Sequence, residues 1–266
     1  MYTIHPIHCA TIDSVKGKYT YLTDMGSAMA IPAISFLVTA DDPDEDTVIV
    51  VDTGVQEPDG DGTVIGNEVD LGGPEPIVDG LAEQDLTPAD VDYVILTHLH
   101  HDHSSNNDLF EEAEFFVQRA ELDAAKDPLP PMAEYYLPEN IDSLDHVETS
   151  IVDGGYRLRE GIEILLTPGH SRGMQSVIVE TAAGPHALIG DLAYCEHNLN
   201  PKTTSFVDAS GREVQTTPLN WDYLPPGVLV DLEECYQSIE RLRKRVGEAG
   251  RLVGGHDAAF LGNSLP

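Results

Sequence analysis

Hydrophobic residues recur along the chain in short runs, rich in Val, Ile, Leu and Phe, that end at Pro, Gly or acidic residues. Runs of this kind are typical of buried strands. They predict strands over residues 34–39, 48–51, 91–96, 115–118, 162–166, 175–179 and 187–189. The first two are expected to pair as a hairpin across residues 41–46, whereas residues 56–76 show almost no periodicity and predict a surface loop.

Helices are predicted over residues 77–86, 119–126 and 232–246, the last with apolar residues three or four positions apart. Thr87-Pro-Ala-Asp90 has the spacing of a capping box with Pro at the first helical position. Strands in two clusters with interspersed helices predict an α/β or α+β sandwich whose strand order stays open. A length of 266 residues predicts one domain, over residues 1–266.

Composition narrows the classes of partner. The chain has 47 Asp and Glu residues against 14 Lys and Arg, a formal net charge of -33, which repels nucleic acids and anionic membrane surfaces. No stretch approaches the uninterrupted apolar length of a membrane span. Acid enrichment combined with lysine depletion predicts a halophilic protein adapted to a salty cytoplasm, the alternative being an ordinary acidic protein.

The cysteines and the first residues of the chain bear on the compartment. Cys9, Cys195 and Cys235 are odd in number and lack C-x-x-C spacing. They predict reduced intracellular thiols and neither a disulfide framework nor a cysteine-based zinc site. Because the opening residues also lack the basic and apolar regions of a signal peptide, the sequence predicts a cytoplasmic protein.

The chemistry is concentrated in residues 97–103, THLHHDH, directly after a predicted buried strand. Imidazole nitrogens and carboxylate oxygens are ligands that suit zinc and similar divalent metals. The spacing of His98, His100, Asp102 and His103 lets a tight turn aim two pairs of side chains at two adjacent positions. The alternative is a polar loop with exposed histidines, and the strand-end position favours the metal site.

Three later segments share one arrangement, a strand followed by a glycine and then by a side chain that can bind a metal. They place His170, Asp191 and His256 just after strand ends. Glycine lets the backbone turn sharply at such a point. Each residue alone is typical of an ordinary loop, but together with the first motif they predict a site for two metal ions.

This pattern resembles the metallo-β-lactamase superfamily, from Val51-Asp-Thr-Gly54 through the H-x-H-x-D-H motif to the three later segments. The resemblance implies an αβ/βα four-layer sandwich with two divalent ions at one edge, between the sheets. Zinc is the expected metal, and manganese or iron are alternatives. The implied ligands are His98, His100 and His170 for one ion, Asp102, His103 and His256 for the other, and Asp191 bridging both. Asp52 is expected to orient a ligand.

Within the superfamily, Asp191-Leu-Ala-Tyr194 resembles the D-x-x-Y element of the quorum-quenching N-acyl homoserine lactone lactonases. The resemblance implies that the Tyr194 hydroxyl reaches the substrate carbonyl, the alternative being a core tyrosine bonded to backbone. Two ions that share a water lower its pKa, so a bridging hydroxide is expected to attack the lactone. Tyr194 is then expected to stabilise the oxyanion, and Asp102 to shuttle a proton to the leaving alkoxide. Residues 128–138 either form an apolar wall for an acyl chain or are an ordinary packing loop.

Other functions remain open alongside a lactonase. A thioester hydrolase of the glyoxalase II type uses the same ligands and is expected to add basic groups, for which Arg157, Arg159 and Arg172 are candidates. Another ester hydrolase or a non-catalytic metal-binding protein are further alternatives. A phosphodiesterase is disfavoured because phosphate substrates favour a cationic cleft. The expected partner is a small lactone or ester, and a homodimer is left open.

Overall fold

The computed structural model describes residues 1–42 and 46–266. The strands are β1 (Tyr2–Val15), β2 (Ala28–Ala40), β3 (Val48–Val51), β4 (Thr63–Val64), β5 (Asn67–Leu71), β6 (Tyr93–Ile95), β7 (Glu114–Gln118), β8 (Glu148–Val152), β9 (Tyr156–Arg159), β10 (Ile162–Leu166), β11 (Gln175–Thr181), β12 (Gly184–Leu188), β13 (Ser205–Val207), β14 (Glu213–Gln215) and β15 (Arg251–Val253). The helices are α1 (Glu75–Ala82), α2 (Arg119–Lys126), α3 (Pro138–Ser143), α4 (Glu196–Leu199) and α5 (Leu232–Val246).

Two sheets form the centre of the fold. The larger has the order β4-β5-β1-β2-β3-β6-β7-β8, the smaller has the order β15-β12-β11-β10-β9, and β13 and β14 form a separate hairpin. Phe36 of β2 and Val177 of β11 belong to one apolar cluster between the two sheets. Successive side chains of a strand point to opposite faces, so Leu37 joins a second cluster with α1 and Ile178 a third with α5. The helices therefore cover the outer faces, which confirms the αβ/βα four-layer sandwich.

Strand direction decides where the functional side chains meet. In the larger sheet β3 and β6 run parallel, and in the smaller sheet β12 and β15 run parallel. The ends of β10 and β12 also coincide, because both are antiparallel to β11. Parallel strands bring their carboxyl ends to one edge of a sheet, so the segments that follow all five strands emerge along one edge of the sandwich.

Most predicted elements are confirmed. The strands β3 and β10 and the helices α2 and α5 have the predicted bounds, and β2 pairs antiparallel with β3 as expected. Residues 43–45 of the predicted hairpin turn lie outside the described residues. The capping box is confirmed, since Asp90 accepts hydrogen bonds from the amide and the hydroxyl of Thr87. Helix α1 ends at Ala82, before the predicted residue 86, and Asp85 follows with a left-handed φ of 58°.

Two expectations differ from the structure. The predicted loop over residues 56–76 is wrong in part, because β4 and β5 lie within it and α1 begins in it. Strand β5 pairs with β1 through its polar, half-exposed residues, so it lacks the apolar run that marks a buried strand. Strand β1, the longest, was not predicted. In the residues that the structure describes, no helix combines the length and the apolar character needed to cross a membrane.

Candidate metal centre

Seven side chains converge where these strands end. Each candidate ligand follows its strand by a few residues: the motif of residues 97–103 follows β6, His170 follows β10, Asp191 follows β12 and His256 follows β15. Gly190 permits the turn before Asp191, because its φ of 48° is left-handed and a Cβ there would lie 2.7 Å from Met174 Cε. The ligand atoms form two groups, each within 4.8 Å: His98, His100, His170 and Asp191, and Asp102, His103 and His256.

Asp191 connects the two groups. Its Oδ2 lies 3.3 Å from His170 Nε2 and 3.8 Å from His98 Nε2. Its Oδ1 lies 3.0 Å from His103 Nε2 and 3.1 Å from His256 Nε2. The carboxylate thus turns one oxygen to each group, the arrangement that the family resemblance implies for a bridging ligand.

Backbone contacts fix which ring nitrogen of two histidines carries the proton. His170 Nδ1 lies 2.8 Å from the carbonyl oxygen of Val228, and His256 Nδ1 lies 2.6 Å from that of Pro32. A carbonyl oxygen only accepts, so Nδ1 carries the hydrogen and, in the neutral ring, Nε2 keeps a bare lone pair. Both Nε2 atoms point into the centre and can bind a cation.

The spacing of the nitrogens and the buried polar atoms also suit cations. His103 Nε2 lies 3.0 Å from His256 Nε2, and His170 Nε2 lies 3.0 Å from His100 Nδ1. Two nitrogens on one tetrahedral zinc ion are separated by about 3.3 Å. In the described part of the chain, His98 Nε2 is buried without a hydrogen-bond partner. An unpaired buried nitrogen costs folding free energy unless a ligand or ion binds it. The donor set and this orphaned nitrogen fit two divalent ions.

Asp52 holds the first motif in place from the end of β3. It is buried, and it accepts hydrogen bonds from the Thr97 amide at 2.6 Å and from the Thr97 hydroxyl at 2.8 Å. Its Oδ2 also lies 2.8 Å from His103 Nδ1. A carboxylate at Nδ1 turns the opposite ring nitrogen toward the centre and fixes its orientation.

Burial and the three carboxylates set the charge of these side chains. Burial lowers the pKa of His98, His100 and His170 below the ordinary value of 6.5, so these rings are neutral at pH 7. Burial acts in the same direction on His103, but Asp191, Asp52 and Asp102 outweigh it and raise the His103 pKa well above its usual range. Conversely, nearby histidines overcome burial and hold the pKa of Asp191 far below its usual range.

Tyr194 lies against the centre, with its hydroxyl donating a hydrogen bond to Asp191 Oδ2. Its ring stacks on the ring of His256, with centroids 4.9 Å apart and planes at 12°. The alternative of a hydroxyl bonded to backbone is therefore not what the structure has. Burial, followed by the charge of Asp191, raises the Tyr194 pKa well above 10, so the phenol remains a proton donor.

A cleft opens onto the metal-facing side chains. Its lining includes Tyr194, Asp102 and His170 together with Tyr135, Lys18 and other residues. Of the segment 128–138, Tyr135 lines this cleft, whereas Met132 and Tyr136 are buried beside a separate small groove. Asp102 keeps 14% of its side chain exposed, so it can meet a bound molecule.

Comparison with known proteins settles the family. Residues 32–256 match the model of the metallo-beta-lactamase superfamily, a stretch that contains all seven candidate ligands. The chain belongs to the metallo-β-lactamase superfamily. This confirms the resemblance to the superfamily that the H-x-H-x-D-H motif and the three later segments indicated.

Among relatives of this superfamily member, an N-acyl homoserine lactonase of a Bacillus species is 34% identical over 182 residues, which cover 65% of this chain and 68% of the relative. A solved structure of an AiiA variant from Bacillus thuringiensis, with N-decanoyl-L-homoserine at its active site, has a TM-score of 0.74 at 26% identity. An N-acyl homoserine lactone hydrolase with N-hexanoyl-L-homoserine at its catalytic metal centre also has a TM-score of 0.74 at 26% identity. Both alignments cover 97% of this chain and 94% of the solved chain.

Glu121 is a site-shaping residue of this superfamily member that was not predicted. Its buried carboxylate accepts hydrogen bonds from the Leu99 amide at 3.1 Å and from the Ser171 hydroxyl at 2.6 Å. It also accepts from the Gly173 amide and the Tyr136 hydroxyl, so it ties the first motif to the His170 loop. The available signal was helical spacing, because Glu121 shares the buried face of α2 with alanines three and four positions later.

Proposed function

We propose that this protein is a dinuclear zinc hydrolase that opens the lactone ring of N-acyl homoserine lactones. The observation that carries the proposal is the position of Asp191, which offers one oxygen to each of two groups of neutral or neutralisable histidines. The ligand atoms are nitrogens and carboxylate oxygens, the donors that zinc prefers. The lactonase relatives and their product complexes supply the substrate class.

His98, His100, His170 and Asp191 would hold one ion, and Asp102, His103, His256 and Asp191 would hold the other. When bound, such ions activate water as a nucleophile and polarise a carbonyl. Opening a lactone adds water across the acyl–oxygen bond: the hydroxyl joins the carbonyl carbon and a proton goes to the ring oxygen. The two remaining tasks, stabilising the negative charge on the carbonyl oxygen and moving the proton, fall to side chains of this chain.

Tyr194 donates its phenol hydrogen to the carbonyl oxygen as negative charge develops there, in exchange for its hydrogen bond with Asp191. A well-placed donor of this kind contributes about 3 kcal/mol to the transition state. Asp102 carries the proton from the attacking water to the leaving alkoxide. Burial opposes its ionisation, but His101, His103 and His256 lower its pKa to about 2, so it begins as a proton-accepting carboxylate.

The thioester alternative finds less support. A glutathione thioester is expected to need several basic groups at the cleft, but the described lining offers one, Lys18, and includes none of Arg157, Arg159 and Arg172. Arg159 instead contacts Thr47 on the other side of the sandwich. A lactone carries no such anionic group, so the cleft suits it better.

The test combines metal counting with a substrate panel. We expect two zinc ions per chain and hydrolysis of an acyl homoserine lactone well above that of a glutathione thioester. Tyr194→Phe is expected to lower kcat about 100-fold with both ions retained, since one oxyanion donor is lost. A chain that binds no divalent metal, or a Tyr194→Phe variant with unchanged kinetics, would contradict the proposal.

We also infer that the protein works in concentrated salt inside the cell. The support is the net charge of -33 with only 14 Lys and Arg residues, whose mutual repulsion is screened over about 3 Å at 1 M salt. The three cysteines are buried and unbridged, which suits a reducing compartment.

A further inference from the structure

The lining of the metal-centre cleft includes a basic side chain, Lys18, in a strongly acidic protein. Lys18 lines the cleft beside Asn67, and among the described lining residues it is the one lysine or arginine. The remaining lining near it is apolar or aromatic, from Ile12, Ile31 and Tyr19. Because the whole chain has only 14 Lys and Arg residues, a lysine in this lining indicates a specific role.

The backbone of Lys18 is held close to a metal-facing histidine. The Lys18 carbonyl accepts a hydrogen bond from the Val228 amide at 3.0 Å, and the Val228 carbonyl accepts one from His170 Nδ1. The two backbones approach so closely that a Cβ on Gly227 would lie 2.3 Å from Gly17 O and 2.6 Å from Lys18 O. One residue, Val228, therefore links the backbone of Lys18 to His170 and holds that backbone in place relative to the centre.

A neighbouring lysine, Lys16, shows how many partners the ammonium of a buried structural lysine has in this protein. Lys16 is fully buried and its ammonium contacts Asp24 at 3.0 Å, Thr20 at 3.0 Å and His197 Nδ1 at 2.8 Å. Lys18 is half-buried, and in the part of the chain that the structure describes its ammonium has a single partner, Asn67 Oδ1, at 3.3 Å. An ammonium has three N–H donors, so Lys18 keeps donors available to a ligand.

Asn67 holds the lysine toward the cleft. Its Nδ2 donates to the backbone carbonyls of Ile65 at 3.1 Å and Val64 at 3.4 Å. These contacts fix the amide so that its Oδ1 faces Lys18. Because Asn67 begins β5, which pairs with β1, the arrangement is built on the sheet edge and not on a free loop.

We propose that Lys18, positioned by Asn67, binds a carbonyl oxygen on the acyl arm of the substrate. This inference rests on the proposed lactonase function. With the lactone carbonyl at Tyr194 and the metal-facing side chains, the acyl arm must lie along the rest of the same cleft, whose described lining has Lys18 as its one ammonium donor. An amide oxygen or a 3-oxo group supplies the matching acceptor, and a charge-assisted hydrogen bond is stronger than a neutral one. A purely alkyl arm offers no acceptor and leaves the ammonium unpaired.

The test compares kcat/KM for three lactones: a γ-alkyl lactone without an amide, N-hexanoyl homoserine lactone and N-(3-oxohexanoyl) homoserine lactone. Lys18→Met keeps the length of the side chain and removes the charge, whereas Lys18→Arg keeps the donors. Lys244→Met removes the same charge from an exposed position of α5 and serves as the control. The metal content of each variant is measured in parallel.

In Lys18→Met we expect the kcat/KM for an acyl homoserine lactone, relative to that for the alkyl lactone, to fall about tenfold. The loss lies mainly in KM, Lys18→Arg restores most of it, and metal content stays constant. Loss on both acyl substrates assigns the amide oxygen, and loss on the 3-oxo substrate alone assigns the keto oxygen. Equal loss on all three lactones, or none, overturns the inference. A wild-type protein inactive toward every lactone overturns the proposed function itself.

Discussion

Asp52 offers a sensitive test of how the metal centre is held, because it contacts no ion in the proposed site yet orients one of its ligands. The change we consider is Asp52→Asn, which preserves the size and shape of the side chain. Asp52 has a left-handed φ of 64°, and Asn tolerates that region well, so the substitution adds no backbone strain. The amide oxygen can still accept from the Thr97 amide, but its NH2 group cannot accept from the Thr97 hydroxyl or from His103 Nδ1.

The magnitude follows from the lost contacts. Removing the group that orients a metal-binding histidine typically costs 10- to 100-fold in metal affinity, which is about 1.4 to 2.7 kcal/mol. The fold should also lose about 1–3 kcal/mol for the buried donors left unpaired. One effect opposes the loss of metal affinity. Asp52 helps raise the His103 pKa, so without Asp52 a proton competes less strongly with the metal for His103. Mildly alkaline buffer reduces that contribution.

The assay is a competition titration of zinc between the protein and a chromophoric chelator, combined with thermal unfolding. Asp208→Asn is the matched control: Asp208 is a buried carboxylate that accepts from the Ala30, Ser210 and Arg212 amides and contacts none of the seven ligands. We expect both variants to lose stability and only Asp52→Asn to lose zinc affinity. Equal zinc affinity in the two variants would refute the reasoning.

In Glu121→Gln an NH2 group replaces one carboxylate oxygen, so either Ser171 and Gly173 or Leu99 and Tyr136 lose their acceptor. We expect Tm to fall by about 5 °C in calorimetry; an unchanged Tm would show that Glu121 is dispensable. Because the raised pKa keeps His103 protonated at pH 7 without metal, zinc binding should release about one proton per chain, measured by titration calorimetry in buffers of different ionisation enthalpy; no release would contradict this. The unfolding midpoint should rise from low to molar KCl, and a constant midpoint would argue against salt adaptation.

The convergence of the candidate metal ligands was predictable because its signal is local. A buried strand such as β10 is a short apolar run, and the ligand that follows it, His170, comes after a glycine turn within a few residues. The H-x-H-x-D-H spacing confines four candidate ligands to one short segment. Chemistry encoded over such short stretches can be interpreted before the path of the chain is known.

Features that depend on long-range contacts were not predictable in the same way. Strand β1 alternates buried and half-buried residues, but the alternation changes phase at Pro6 and again at Cys9 and Ala10, where the register with β2 shifts, so no single period marks the whole strand. Glu121 resembles any acidic residue of a short helix until the fold brings Leu99 and Ser171 to its carboxylate. Lys18 and Asn67 lie 49 residues apart and meet only because β5 pairs with β1.

Both groups of ligands draw on both sheets, which makes the centre a property of how the sheets pack. His98 and His103 follow a strand of the larger sheet, whereas His170, Asp191 and His256 follow strands of the smaller one. Neither sheet alone contains either group. Asp191 spans the two groups with contacts of 3.0 to 3.8 Å. A small shift between the sheets therefore changes the distances within both groups at once. The apolar cluster between the sheets therefore contributes to the separation of the candidate ligands as well as to the stability of the fold.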